Sequence, residues 1–265
     1  MDAETTAFYR RNANKLVAQY SCSSHVIEER IFSAFAHAQK ILDIGCGTGR
    51  DLAFLLRKGK DAYGVDPSVE MLQVAQETLK ANGISENGRL IKSSLPGLSE
   101  FGDSEFDGVL CSAVLMHLPD EQIFDAVYAL RRVMKPGGIL VVSTPEKRND
   151  INPITRRDLN GRLFTDLPAT KLHLLFERVG FVVRMSESVE DSLGRDGITW
   201  NISEFCLRDS ADRPLHLVES ILSRDKKDAT YKLALFRALA EIAQTQHHLA
   251  SFTQDGKVKI PVQAI

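Results

Sequence analysis

The stretch ILDIGCGTGR, Ile41–Arg50, constrains this chain of 265 residues more than any other. An apolar run meets Gly45, Gly47 and Gly49, and a helical pattern with Leu52, Leu55 and Leu56 begins directly after. Glycines so placed let the backbone turn tightly and let a ligand come close to the main chain. The same strand–turn–helix rhythm continues along the chain. Lys40–Ile44, Asp61–Val65, Arg89–Lys92, Phe106–Ser112 and Ile139–Ser143 read as strands. Helical spacing covers Ser24–Ala36, Arg50–Lys58, Ser68–Asn82, Asp120–Met134 and Ala169–Val179, with Gly59, Gly83 and Gly180 as stops. Pro136-Gly137-Gly138 reads as a turn, Phe181–Arg184 as a strand, Glu187–Asp196 as a surface loop and Thr199–Leu207 as an edge strand. Alternation of this kind predicts an α/β, Rossmann-like parallel sheet with helices on both faces.

The turn also limits the ligand. A dinucleotide site has its third glycine five positions after the first, and that position here is Arg50. No Gly-Lys-Ser/Thr follows, which excludes a P-loop. Asp43, just before the first glycine, would repel a pyrophosphate and suits a cationic ligand. Asp66 closes the second strand, which puts its carboxylate at the carboxyl edge of the sheet beside the turn, where it can accept from ribose hydroxyls. A ribose, a positive charge and no pyrophosphate together describe S-adenosylmethionine.

Four segments in this order, LDIGCGTG, GVDPS, EFDGVLCSAVLMHLPD and LRRVMKPGGILVVSTP, resemble the class I S-adenosylmethionine-dependent methyltransferases, in the group of ubiquinone-type, small-molecule and wobble-uridine tRNA enzymes. The resemblance covers about Ser24–Leu207 and implies a seven-stranded, mostly parallel sheet whose last strand is antiparallel. It implies that Gly45, Cys46, Gly47 and Gly49 pack against the methionine part of the cofactor and that Asp43 lies near its amino group. Asp66 would hold the ribose, and Pro67 and Met71 would lie beside the nucleoside. Ser93, Ser94 and Leu95 would contact the adenine, although many relatives carry an acidic residue where Ser93-Ser94 stands. Ser112 would end the fourth strand beside the sulfonium. His117 is the candidate general base, and Tyr9 and Tyr20 are candidates for a lid over the cofactor. The sulfonium already activates the methyl group, so the chain needs no triad, only a positioned acceptor. S-adenosylhomocysteine is the expected product, and no metal is expected.

Composition narrows the acceptor. With 33 basic and 35 acidic residues the net charge is −2, which gives no global pull on nucleic acid. No N/D-P-P-Y segment or Pro-Cys pair marks a nucleobase enzyme. A small-molecule acceptor is expected first and RNA second. The four cysteines show no ligand or disulfide spacing, and no apolar run approaches membrane length, so a cytoplasmic protein is expected. The expected division is a methyltransferase domain with an N-terminal helical lid over 1–207 and a helical extension over 208–265. Within the extension, the ATYKLALFRALAEIA helix is a candidate for homodimer or partner contacts, and the segment resembles a region found beside bacterial HNH-type nucleases. The alternative function is a cofactor-sensing or partner-docking module of such a nuclease or defence system that binds without transferring.

Overall fold

The computed structural model describes residues 1–20, 25–209, 251–252 and 258–259. The chain separates into two units, 1–207 and 208–265. In the second unit, β8 (Ser251–Phe252) pairs antiparallel with β9 (Val258–Lys259). The expected helix over 231–242 lies outside the described residues.

The first unit opens with α1 (Ala3–Tyr20) and α2 (His25–Ala34). Next come β1 (Lys40–Ile44), α3 (Arg50–Arg57), β2 (Asp61–Asp66), α4 (Val69–Ala81), β3 (Leu90–Lys92) and β4 (Phe106–Ser112). A short 3-10 turn (Leu115–His117), α5 (Asp120–Val133), β5 (Met134–Lys147), α6 (Ala169–Arg178), β6 (Phe181–Glu190) and β7 (Thr199–Leu207) complete it. The seven strands form one sheet in the order β3-β2-β1-β4-β5-β7-β6. β1 through β5 pair in parallel, and β7 runs antiparallel to both β5 and β6. The order reverses between β1 and β4, where Asp43 stands opposite Leu110. At such a switch point the carboxyl ends of the two strands open a crevice.

Local chemistry explains the boundaries. Ser68 caps α4 by accepting the Met71 N–H at 3.2 Å. Acidic Asp120 and Glu121 sit at the positive end of α5, and Arg131 and Arg132 at its negative end. Ile31 of α2, Phe35 just after it, and Leu52 and Leu55 of α3 pack with Ile41, Leu110 and Val141 of the sheet in one buried cluster. Phe35 lies where a side chain on Gly108 would stand, its ring 2.8 Å from that Cβ position. α1 lies on α4 through Ala13, Leu16, Met71 and Val74. At the far end, the Phe205 ring of β7 sits 4.6 Å from Phe176 of α6.

Three expectations change. Pro136-Gly137-Gly138 is not a free turn but an irregularity inside β5, whose pairing slips between Phe106↔Met134 and Gly108↔Ile139. Gly138 belongs there because a Cβ would sit 2.8 Å from the Lys135 carbonyl oxygen. The strand expected over Phe181–Arg184 runs on to Glu190 and absorbs the first part of the expected loop, because β7 pairs with it as far as Glu190↔Thr199. Thr199–Leu207 is therefore not an edge strand; it lies between β5 and β6. Its alternation reflects two covered faces: Asn201, Ser203, Phe205 and Leu207 are buried, while Trp200, Ile202 and Glu204 line a cavity. No helix of the described residues is long and apolar enough to cross a membrane.

Gly49 starts α3 with φ of +76°, and a Cβ there would meet Ala75 of α4 at 2.9 Å. Overpacking of this kind costs about 1–3 kcal/mol and a left-handed residue about 1–2 more. Gly49→Ala is therefore expected to lower the thermal midpoint by roughly 5 °C or more, read by circular dichroism. Gly59→Ala is the control: it shares the positive φ but has open space around it, so its loss is smaller.

Candidate active site

The crevice at the switch point is the mouth of one cavity of about 350 Å³. Its two ends differ in chemistry.

At the first end, Gly45, Gly47 and Gly49 all have positive φ, at 67°, 55° and 76°. The Cys46 N–H donates to the Val65 carbonyl at 2.9 Å and the Gly49 N–H to the Cys46 carbonyl at 2.8 Å, which ties the turn to β2. A Cβ on Gly45 would strike Val114. Asp43 is buried at 3% exposure, and its Oδ2 has no hydrogen-bond partner among the described residues. Burial pushes its carboxyl well above the ordinary range; Asp51 and Asp66 add to this and Arg50 opposes it. Arg50 is itself engaged, with Nε and Nη2 donating to Asp51 at 2.8 and 2.9 Å. Asp66 accepts the Ser68 N–H at 2.9 Å on Oδ1 and the Gly47 N–H at 3.2 Å on Oδ2. Its burial outweighs those donors and raises its carboxyl to about 6. Cys46 lines the same end as a buried thiol, pushed well up by burial and by the two carboxylates.

Pro67 and the buried Met71 continue this wall. Ser93 and Ser94 are set apart from it. They line a small separate cleft that shares only Pro67 with the main cavity, and Ser93 Oγ donates to Glu100 at 2.7 Å. Leu95 is fully buried and lines neither space. Ser112 ends β4 at the cavity, its Oγ 2.9 Å from Ser143 Oγ of β5. The next residue, Ala113, holds φ of +58° and donates its N–H to the Ser143 hydroxyl at 3.0 Å.

The second end begins at His117, which is 2% exposed. Its Nδ1 lies 2.6 Å from the Leu163 carbonyl, so Nδ1 carries the proton and donates, and Nε2 accepts from the Tyr9 hydroxyl at 3.2 Å. Both ring nitrogens are thus engaged. Burial, with Arg162 and Arg148 nearby, lowers the imidazole to about 4, so it is neutral at pH 7. α1 is locked over this corner: Thr5 Oγ1 accepts the Leu163 N–H at 2.9 Å, and Asp2 takes two donors from Arg157. Tyr9 therefore stands on the cavity wall; the Tyr20 side chain lies outside the described residues.

Sequence reasoning missed the rest of this end. Arg148, Arg162 and Phe164 come from the long connection after β5, and Met185, Asp191 and Trp200 from β6, β7 and the loop between them. Asp191 organises that loop by accepting from the Leu193 and Arg195 backbones, the Arg195 guanidinium and Trp200 Nε1. Burial works against its ionisation, but these donors hold its carboxyl down at about 2. The lone tryptophan facing a polar Asp-rich turn is the one signal that could have marked the segment.

Residues 41–138 match the family described as methyltransferase domain, and residues 211–265 match a domain of unknown function. Over 106 residues the chain is 37% identical to the ubiquinone biosynthesis O-methyltransferase of Methylococcus capsulatus, covering 40% of this chain and 43% of that protein. The protein of that name from Rhizobium johnstonii is 35% identical over 105 residues, 40% of each chain. The chain thus spans about two-fifths of the length of the curated relatives it matches. Among solved structures, the 1,6-didemethyltoxoflavin-N1-methyltransferase of Burkholderia thailandensis, with bound 1,6-didemethyltoxoflavin and S-adenosylhomocysteine, superposes with a TM-score of 0.62 at 18% identity. That match covers 78% of this chain and 88% of the other. The cyclase SpnF follows at 0.54 and 18%, over 69% of this chain and 80% of its own. These likenesses show the fold.

His117 gives a test of the geometry. Its folded value near 4 lies below the free value of 6.5, so the unfolded chain binds the proton more tightly in between. Its contribution is complete above pH 6.5 and is lost as pH falls through 4, a change of about 3 kcal/mol. Asp66, raised to about 6, acts in the opposite sense between pH 6 and 3.8. Nitrogen NMR of the imidazole is expected to show the Nδ1–H tautomer and no protonation down to pH 5.

Proposed function

We propose that the chain carries a class I S-adenosylmethionine-dependent methyltransferase domain and moves the methyl group to an oxygen of a small-molecule acceptor by in-line displacement, leaving S-adenosylhomocysteine. One observation supports this most: the buried Asp43 carboxylate, with Oδ2 unpartnered, stands beside the glycine turn and within one cavity with Asp66. A buried ionisable oxygen without a partner is expensive. An ammonium group beside it would supply the missing donor and the opposite charge, so the residues fit the methionine end of this cosubstrate. When bound, S-adenosylmethionine supplies a methyl group already activated by a sulfonium.

The chain's own residues then have these roles in the proposal. Gly45, Cys46 and Gly47 form the floor under the methionine part, Gly49 shapes it by starting α3 against α4, and Asp43 lies toward the amino group. Asp66 keeps lone pairs for the ribose hydroxyls after accepting two backbone donors. Pro67 and Met71 flank the nucleoside, and Ser93 and Ser94 meet the adenine edge from the neighbouring cleft. Leu95 is buried, so it acts by fixing that loop and not by side-chain contact. Ser112 marks the wall beside the reacting centre. His117 has no free nitrogen for the acceptor. It is a positioning residue that holds Tyr9 and α1 as the cover of the site. Such a cover excludes water and orients the acceptor, and orientation can contribute about 7–11 kcal/mol. Oxygen as the receiving atom is drawn from the O-methyltransferase relatives.

Calorimetry with S-adenosylhomocysteine tests the base of this proposal. Asp66→Ala is expected to weaken binding about 10- to 100-fold, since each hydrogen bond to a charged group is worth about 1.5–3 kcal/mol. Affinity falls as pH drops below about 6, where Asp66 takes up a proton, and Asp66→Asn shrinks that step. Labelled methyl should appear in the small-molecule fraction of a cell extract; absence of binding, or label only in RNA or protein, overturns the reading.

A further inference from the structure

The second end of the cavity carries a cationic wall that cofactor binding leaves unused. Arg148 directly follows β5. Its side chain is only 5% exposed and its guanidinium carbon lies 4.1 Å from the centroid of the Phe164 ring. Nε donates to Asp150 Oδ1 at 2.8 Å and Nη2 donates to Oδ2. Nη1 has no protein partner among the described residues, and the side chain lines the cavity. Arg162 lies near the same ring, at 5.5 Å, and is paired with Asp158 through Nε and Nη2.

Most acids around this end are already used. Asp191 is held by Arg195 and Trp200, Glu204 pairs with Arg184, and Glu187 pairs with Arg30. Glu190 is exposed to solvent. Met185, Val189, Trp200 and Ile202 bring apolar surface to the same space. The largely covered Arg148 side chain lines the cavity, and its Nη1, which has no protein acceptor among the described residues, suits an oxygen anion from a ligand. One free Nη1 beside the Asp150 carboxylate suits a monoanion and disfavours a dianion such as phosphate.

We infer that the acceptor carries a carboxylate on an apolar body, and that Arg148 Nη1 holds this carboxylate at the end of the cavity away from Asp43. Naming the ligand as the methyl acceptor rests on the methyl-transfer reading; the carboxylate subsite itself does not. The apolar body lies against Trp200, and the carboxylate is an anchor, so the attacking oxygen is a separate group.

Trp200 is the one tryptophan of the chain and reports on this space by its fluorescence. The full chain, saturated with S-adenosylhomocysteine, is titrated with benzoate and with its neutral counterpart benzamide. Benzoate is expected to change the emission saturably and to bind at least ~10-fold more tightly than benzamide, as a charge-assisted hydrogen bond implies. Arg148→Met removes that preference and leaves S-adenosylhomocysteine affinity by calorimetry unchanged. Asp150→Asn frees the guanidinium and tightens benzoate, a gain that misfolding cannot imitate. Equal binding of the two probes, no saturable change with benzoate, a preference that survives Arg148→Met, or no gain in Asp150→Asn overturns the inference. If S-adenosylhomocysteine itself fails to bind, the methyl-transfer reading falls, and the same titration without it still decides the subsite.

Discussion

Close backbone approach at the glycine turn is the constraint on which the rest of this structure depends. Three segments meet where no side chain has room: Gly45 against Val114, Gly49 against Ala75, and Gly64 against Cys46 and Leu52. All three glycines of the turn also need the left-handed backbone. Their absence of Cβ lets α3 start at the edge of β1, lets α4 lie beside it, and leaves main-chain groups facing the crevice. Asp43 and Asp66 project beside this crevice from β1 and β2. Burial strips water from both, so each carboxylate is poised for a ligand that brings donors or positive charge.

The other end of the cavity is built by different means. It has no glycine turn and no regular spacing, and it depends on interlocking polar contacts between distant segments. Thr5 holds Leu163, Asp2 holds Arg157, His117 joins Leu163 to Tyr9, and Asp191 gathers Arg195 and Trp200. Each contact satisfies a buried polar group, and so each fixes a wall. The result is an acidic pocket and a guanidinium-rich pocket in one space, which suits a cationic sulfonium ligand at one end and an anionic acceptor at the other.

Much of the fold was legible because local rules govern it. The strands at Lys40–Ile44 and Asp61–Asp66 and the helix stops at Gly59, Gly83 and Gly180 follow from periodicity and glycine chemistry within a few residues. The misread elements were those whose form depends on partners far away. Pro136-Gly137-Gly138 reads as a turn until β4 draws it into a strand, and Glu187–Glu190 reads as loop until β7 pairs with it. Of the candidate site residues, Asp43, Gly45, Cys46, Gly47, Asp66, Pro67, Met71, Ser112 and His117 share one cavity, while Gly49 faces Ala75 of α4. Ser93 and Ser94 fall in the adjoining cleft and Leu95 in the core. Burial of a leucine beside two serines depends on what lies over the loop, which spacing does not encode.

The sequence by itself determined the strand–turn–helix frame, the pair of acidic residues at the crevice and the kind of ligand they suit, because those properties reside in residues adjacent along the chain. Only the tertiary structure decided that His117 is neutral with both nitrogens engaged, that Tyr9 lines the cavity beside it, and that Arg148 lines the same cavity with Nη1 unpartnered among the described residues. Protonation, tautomer and the direction of a free donor depend on desolvation and on hydrogen-bond partners from separate segments, and folding alone brings those together.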